Sequence, residues 1–161
     1  MDVRPFRPHD LPRLLDLTIE TFGPFYEDYF RPLVGEVVFA HQHGHWAQDY
    51  GALVPTLHDP ATGKYVAVAE ADDGSIAGYV GYHLDLTRRH GTIAILAVAS
   101  ALRRNHVGTA LCERAFGDMK ERGVEVVEIG TGGDPFHAPA RALYESLGCT
   151  GFPITGYLKQ L

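Results

Sequence analysis

The segment from Leu96 to Leu111, LAVASALRRNHVGTAL, concentrates the chemistry that this chain's residue types could perform. An apolar β run ends near Val98, a basic polar turn follows, and a helical pattern begins near Val107 or Gly108. The first amides of a helix have no intrahelical acceptor, and the macrodipole adds partial positive charge there, so such a junction attracts anions. Gly108 and Ala110 keep bulk away from the backbone, and Arg103 and Arg104 bring formal charge beside it. The pattern fits a diphosphate. It also fits a plain strand-to-helix turn with solvated arginines, because short glycine motifs recur by chance.

A second concentration lies in residues 20 to 60. Glu20, Glu27, Asp28, Glu36, Asp49 and Asp59 face only one strong base, Arg31, and Phe22, Phe25, Tyr26, Tyr29, Phe30, Phe39, Trp46 and Tyr50 are interleaved with them. Acids among aromatic rings suit a cationic amine through charge and cation–π contact, while the helical spacing of several rings suits an ordinary core stripe. His41, His43 and His45 precede Trp46 in HQHGHW. On a helix His41 and His45 would share a face, but the HExxH glutamate is missing and no third ligand can be named, so no metal is expected. Gly130-Thr131-Gly132-Gly133-Asp134 has no basic companion, and its aspartate would repel a phosphate, which makes it a turn delivering the next helix. Cys112 lies in a helical pattern without a paired histidine, a poor setting for a nucleophile.

The elements that must position these groups follow from pattern and composition. The chain has 161 residues with 45% hydrophobic and 21% charged, enough for one domain with one core and far from the composition of a disordered or coiled-coil chain. A net charge of −6 argues against a nucleic-acid partner or a basic membrane-surface helix. MDVRPFRPHDLPRLL lacks an apolar signal core and no run approaches a bilayer span, so a cytoplasmic protein is expected. Cys112 and Cys149 lack CxxC spacing and read as buried thiols.

A short strand and a helix open the chain, with Asp10 as cap and Pro12 in the first turn. Gly23-Pro24 is expected to break that helix. An aromatic helix to Leu33 and another from Glu36 towards Tyr50 follow. Two strands surround Asp73-Gly74, a third is GTIAILAVAS, and a helix runs to about Gly123. Val124 to Ile129 reads as a central strand, Pro139 opens a last helix ending at Gly148, and CTGFPITGYLKQL has room for two terminal strands. This order describes an α/β layered fold, a mixed and mostly antiparallel sheet with helices on both faces.

Two of these motifs resemble the GCN5-related N-acetyltransferase (GNAT) family. Asn105-His106-Val107-Gly108-Thr109-Ala110 is similar to its acetyl-CoA signature, Gln or Arg then x-x-Gly-x-Gly/Ala, after the strand end Leu96-Ala97-Val98. His137 to Cys149, HAPARALYESLGC, resembles the family's Asn-x-x-Ala-x-x-Leu-Tyr-Glu-x-Leu-Gly-Phe helix. Asn105, His106, His137 and Cys149 depart from the usual residues.

The resemblance implies one GNAT domain over residues 1 to 161, with a helical acceptor-side segment at 22–60 and an acetyl-CoA core at 91–148. It implies direct attack of an amine on the thioester, with Leu96, Ala97, Val98, Arg103, Arg104, Asn105, His106, Val107, Gly108, Thr109, Ala110 and His137 at the cofactor. Tyr144 takes the family's tyrosine position as proton donor to the departing thiolate. Glu128 occupies a position from which some members deprotonate the amine, often through water, or orient its ammonium. Tyr26, Tyr29, Trp46, Glu27 and Asp28 are the candidate acceptor contacts. The expected acceptor is a small cationic molecule, aminoglycoside-like, a polyamine or an amino-acid derivative. A protein or peptide acetyltransferase and a non-catalytic acyl-CoA-binding module are the alternatives. Dimers are common in the family, so a second copy is a candidate partner.

Overall fold

The computed structural model describes all 161 residues. Five strands, β1 (Asp2–Pro5), β2 (Lys64–Glu70), β3 (Ile76–Asp85), β4 (His90–Val98) and β5 (Val126–Ile129), form one sheet in chain order. The first four are successively antiparallel and β5 is parallel to β4. Helices α1 (Leu11–Pro24), α2 (Arg31–Val34), α3 (Glu36–His43) and α4 (Trp46–Leu53) precede β2, while α5 (Val107–Glu121) links β4 to β5 and α6 (Ala138–Ser146) follows β5. No helix is long and apolar enough to cross a membrane.

The sheet has a core on each face. On one, Val107, Leu111, Ala115 and Met119 of α5 pack on Ala67, Ala69, Val80 and Ile93; on the other, Leu14 and Leu17 of α1 pack on Val66, Val68, Tyr79 and Ile95. Ile93 and Ile95 would share a face in a regular strand. They lie in opposite cores because the register with β3 slips, Gly81 pairing with Ile95 and Tyr82 with Ile93, which leaves Ala94 as the extra residue of a β-bulge.

Five expectations need correction. Gly23-Pro24 does not end α1, which runs through Pro24 into a π-helical turn at Phe25–Phe30. The stretch from Glu36 to Tyr50 is two helices, because His45 leaves helical geometry at φ −116° and ψ 27°. The tail forms no strand. After the Cys149 amide bonds to the Tyr144 carbonyl, no backbone hydrogen bond involves the tail, and Phe152, Ile154 and Tyr157 are exposed. Pro153 cannot donate to a ladder, Gly151 and Gly156 weaken any strand, and Leu158 to Leu161 lie instead beside Val37 and His41 of α3. β5 is consequently an edge strand, not a central one. Of the two thiols, Cys112 is buried and Cys149 half-buried.

Candidate active site

The bulge at Ala94 and the shortness of β5 together open the sheet. β5 pairs with His90 to Ile93 only, so Leu96, Ala97 and Val98 bond to β3 on one side and have no strand on the other. Just beyond this parting, α5 begins without a capping side chain. The His106 carbonyl accepts the Ala110 amide at 3.0 Å, leaving the Val107, Gly108 and Thr109 amides without a backbone acceptor. Arg103, Arg104, Asn105 and His106 are exposed around these donors, neither arginine is in an ion pair, and Arg103 Nε is 3.4 Å from the Val98 carbonyl. Val107 itself is buried in the core. Unpaired amides with exposed cations beside them attract phosphate oxygens.

Gly108 also has a packing task beside the one its motif suggests. A Cβ there would lie 3.0 Å from Leu143 Cδ2, so the missing side chain lets α6 pack against the first turn of α5. Arg104 and His106 adopt left-handed backbone, at φ 66° and 58°. Such geometry costs a residue with a Cβ about 1–2 kcal/mol, of which a glycine's extra unfolded freedom cancels up to about 1 kcal/mol. His106→Gly is therefore expected to stabilise the fold by about 0.5–1 kcal/mol, read as a rise of roughly 1–4 °C in Tm. A lower Tm would mean that the imidazole makes contacts worth more than the strain.

On α6, Tyr144 is half-buried and its hydroxyl has no hydrogen bond within the chain. Burial, with Cys112 and Cys149 nearby, pushes its phenol up to about 12, so it keeps its proton at ordinary pH. Burial likewise pushes the Cys112 thiol up to about 12, which leaves it protonated and inert. Glu128 on β5 faces Thr92 in register, is 71% exposed and lies 3.7 Å from His90 Nε2. His137 precedes α6, and its Nδ1 lies 2.7 Å from Asp134 Oδ2. Asp134, read from sequence as mere turn, was missed; its spacing three residues before a helix-opening histidine is the signal that marks it.

The acceptor-side residues form an aromatic wall. Tyr26 stacks on Trp46 at 5.1 Å and 9°, its hydroxyl is 3.2 Å from that of Tyr50, and His43 packs edge-on against Tyr26 and Phe30. Tyr29 stacks on Phe25, whose ring also meets Phe136 at 5.6 Å and His137 at 4.7 Å. The π turn thus reaches across to the β5–α6 loop. Glu27 accepts from Trp46 Nε1 at 2.9 Å and from Arg31 at 2.7 Å; these two partners, Trp46 first, hold its carboxyl below the ordinary range. Arg31 therefore already matches the Glu27 charge, whereas Asp28 is exposed without a partner. Tyr50, one of the aromatic residues of the 20–60 stretch but not among the named acceptor contacts, completes the wall. No group of three His, Cys, Asp or Glu side chains is placed to hold a metal, and His43 is engaged by aromatic rings instead.

A sheet of this order, parted between β4 and β5 and flanked by helices on both faces, is the fold of an acyl-transferring class of enzymes. The profile of the Acetyltransferase (GNAT) family matches residues 12–149. The chain belongs to that family and is an acetyltransferase. Among solved structures, a mutant protein from Bacillus halodurans is 20% identical with a TM-score of 0.73, and the match covers 100% of each chain. An aminoglycoside acetyltransferase from an uncultured soil metagenomic sample is 23% identical with a TM-score of 0.64, covering 99% of this chain and 98% of the other. AAC(6')-Iy in complex with the bisubstrate analogue CoA-S-monomethyl-acetylneamine is 14% identical with a TM-score of 0.69, covering 99% and 98%. At such identities the likeness is one of fold. No curated protein matches the sequence.

Proposed function

We propose that this chain transfers the acetyl group of acetyl-CoA to a primary amine of a small cationic molecule, such as an aminoglycoside-like compound, a polyamine or an amino-acid derivative. The observation that carries this reading is the uncapped start of α5 at the mouth of the parted strands. Its free Val107, Gly108 and Thr109 amides, with Arg103, Arg104, Asn105 and His106 around them, suit the diphosphate. The unpaired edge of Leu96, Ala97 and Val98 offers backbone groups to the amide-bearing arm that leads to the thioester. Ala110 closes the same first turn without bulk.

The amine nitrogen attacks the thioester carbonyl, the C–N bond forms as the C–S bond breaks, and the phenol of Tyr144 gives its proton to the departing thiolate. Glu128 and Asp28, both exposed, draw a cation electrostatically towards the parted sheet, while Tyr26, Tyr29 and Trp46 offer ring faces to it. Glu27 fixes the Trp46 ring more than it supplies net charge, since Arg31 holds it too. The aminoglycoside acetyltransferases among the structural neighbours agree with a small amine acceptor.

Titration calorimetry with acetyl-CoA, followed by thiol release with a panel of small polyamines, aminoglycosides, amino-acid amides and peptides, tests this. Binding with turnover on small cationic amines is expected. No heat with acetyl-CoA would overturn the reading, turnover confined to peptides would replace the acceptor class, and binding without any turnover would leave a binding module.

A further inference from the structure

The β5–α6 loop is built around a histidine and a carboxylate. Asp134 accepts twice from His137, from the backbone amide at 3.2 Å and from the ring at 2.7 Å. Because an ionised carboxylate only accepts, Nδ1 must carry the hydrogen, which leaves the lone pair on Nε2. No hydrogen bond within the chain reaches Nε2. Both side chains are largely buried.

The surroundings hold this pair in place. A Cβ on Gly132 would lie within 2.1 Å of Asp134 Oδ2 and 2.5 Å of His137 Nδ1, so only glycine lets the two meet. Arg141, one turn along α6, donates to the carbonyls of Gly132 at 2.5 Å and Asp134 at 2.7 Å and ties the loop to the helix. The rings of Phe25 and Phe136 pack on the imidazole at 4.7 and 5.2 Å. Of the charged groups on the packed elements, Asp134 touches the ring and Arg141 is spent on the loop carbonyls. On the π turn, Glu27 is engaged by Trp46 and Arg31, and Asp28 is exposed.

His137 is the residue just before α6, seven positions ahead of Tyr144, which is roughly 10 Å of rise along that helix, and its ring meets Phe25 of the acceptor-side wall at 4.7 Å. Two proton-handling groups at that spacing can flank a reacting carbonyl, with the attacking nitrogen on one side and the sulfur on the other.

We propose that His137, oriented by Asp134, is the base that takes the proton of the acceptor amine; this rests on the acetyl-transfer reading of the same site. As the C–N bond forms, the nitrogen becomes acidic and its proton passes to Nε2 of His137. As the C–S bond breaks, the thiolate takes the proton of Tyr144, and solvent then removes the imidazolium proton and restores the phenol. The products are the amide and the free thiol. Glu128 is left the role of attracting the acceptor.

The test compares His137→Gln, His137→Asn and Asp134→Asn with the unaltered chain, measuring acetyl-CoA binding by calorimetry, and kcat and the acceptor KM at saturating acetyl-CoA. With acetyl-CoA saturating, so that any share His137 has in holding the cofactor does not enter, kcat is expected to fall at least about tenfold in both His137 variants. Asn is the informative one, since it preserves hydrogen bonding but takes up no proton. In Asp134→Asn kcat falls as well while the acceptor KM stays within about twofold, because an amide that can turn its NH2 towards Nδ1 no longer fixes the hydrogen there and the lone pair on Nε2. Unchanged kcat in His137→Asn, or unchanged kcat in Asp134→Asn, would overturn the proposal. If the unaltered chain neither binds acetyl-CoA nor releases thiol, the acetyl-transfer reading itself fails, and the base with it.

Discussion

Tyr144→Phe is expected to lower kcat about 100-fold, the lower end of what a positioned general acid contributes, while the KM for the acceptor changes by less than about twofold. The ring stays, so α6 keeps its packing and Leu143 keeps its seat against Gly108. What goes is a hydroxyl that satisfies no other group, on a half-buried side chain whose phenol burial pushes up to about 12. A phenol so placed is protonated at every working pH and ready to donate, so its own ionisation should not shape the rate profile below about pH 11. The thiolate leaves poorly without that donor, and the loss should appear in kcat because the interaction exists only as the C–S bond breaks. Cys112→Ser is the control: its thiol is buried and protonated, and turnover should persist. Steady-state kinetics decide, and an unchanged kcat in Tyr144→Phe removes the phenol from the reaction.

Local signals carried most of the fold. The Asp73-Gly74 turn between β2 and β3, the amphipathic face of α5 and the Pro139 start of α6 are each fixed by residues adjacent in sequence, and each lies where the sequence places it. The bulge at Ala94 was not legible. GTIAILAVAS is apolar on both faces, so its periodicity has no phase to slip and only the register with β3 reveals that Ile93 and Ile95 face opposite cores. The parting that makes the cleft follows from that bulge and from a β5 of four residues, both set by pairing partners distant in sequence. The π turn after Pro24 and the unpaired tail were misjudged for a related reason: composition reports what a segment tolerates, whereas the neighbours decide what it does. At the site, the α5 junction and the Tyr144 helix stood out because their chemistry sits in short contiguous motifs. Asp134 did not, because an acid in a glycine turn gains meaning only when His137 folds back on it.

The other large effect lies in the clasp between the first strand and the first helix. Asp10→Ala is expected to cost about 3 kcal/mol, the lower end of what breaking a buried ion pair costs. Arg4 on β1 is 8% exposed and Asp10 is 2% exposed, and the two meet through paired bonds of 2.9 Å each. Asp10 also accepts the Arg7 amide at 2.7 Å, and Arg4 Nε reaches Glu70 on β2 at 2.6 Å. Glu70 would still hold one edge of the guanidinium, which is why the loss falls at that lower end.

The pH dependence has a definite sign. Burial alone would raise the Asp10 carboxyl, but the Arg4 guanidinium and the Arg7 amide outweigh it and hold it below the ordinary range. A group whose folded pKa is depressed contributes fully above its unfolded value, near 4, and loses that contribution as pH falls through the lower folded value. Urea midpoints of the unaltered chain should therefore fall more steeply below about pH 4 than those of Asp10→Ala. Removing both charges separates the pair from the cavity it fills. Arg4→Met with Asp10→Leu leaves no unpaired buried ion, so it should lose less stability than Asp10→Ala alone. A double variant as unstable as the single one would show that shape, and not the stranded guanidinium, sets the cost.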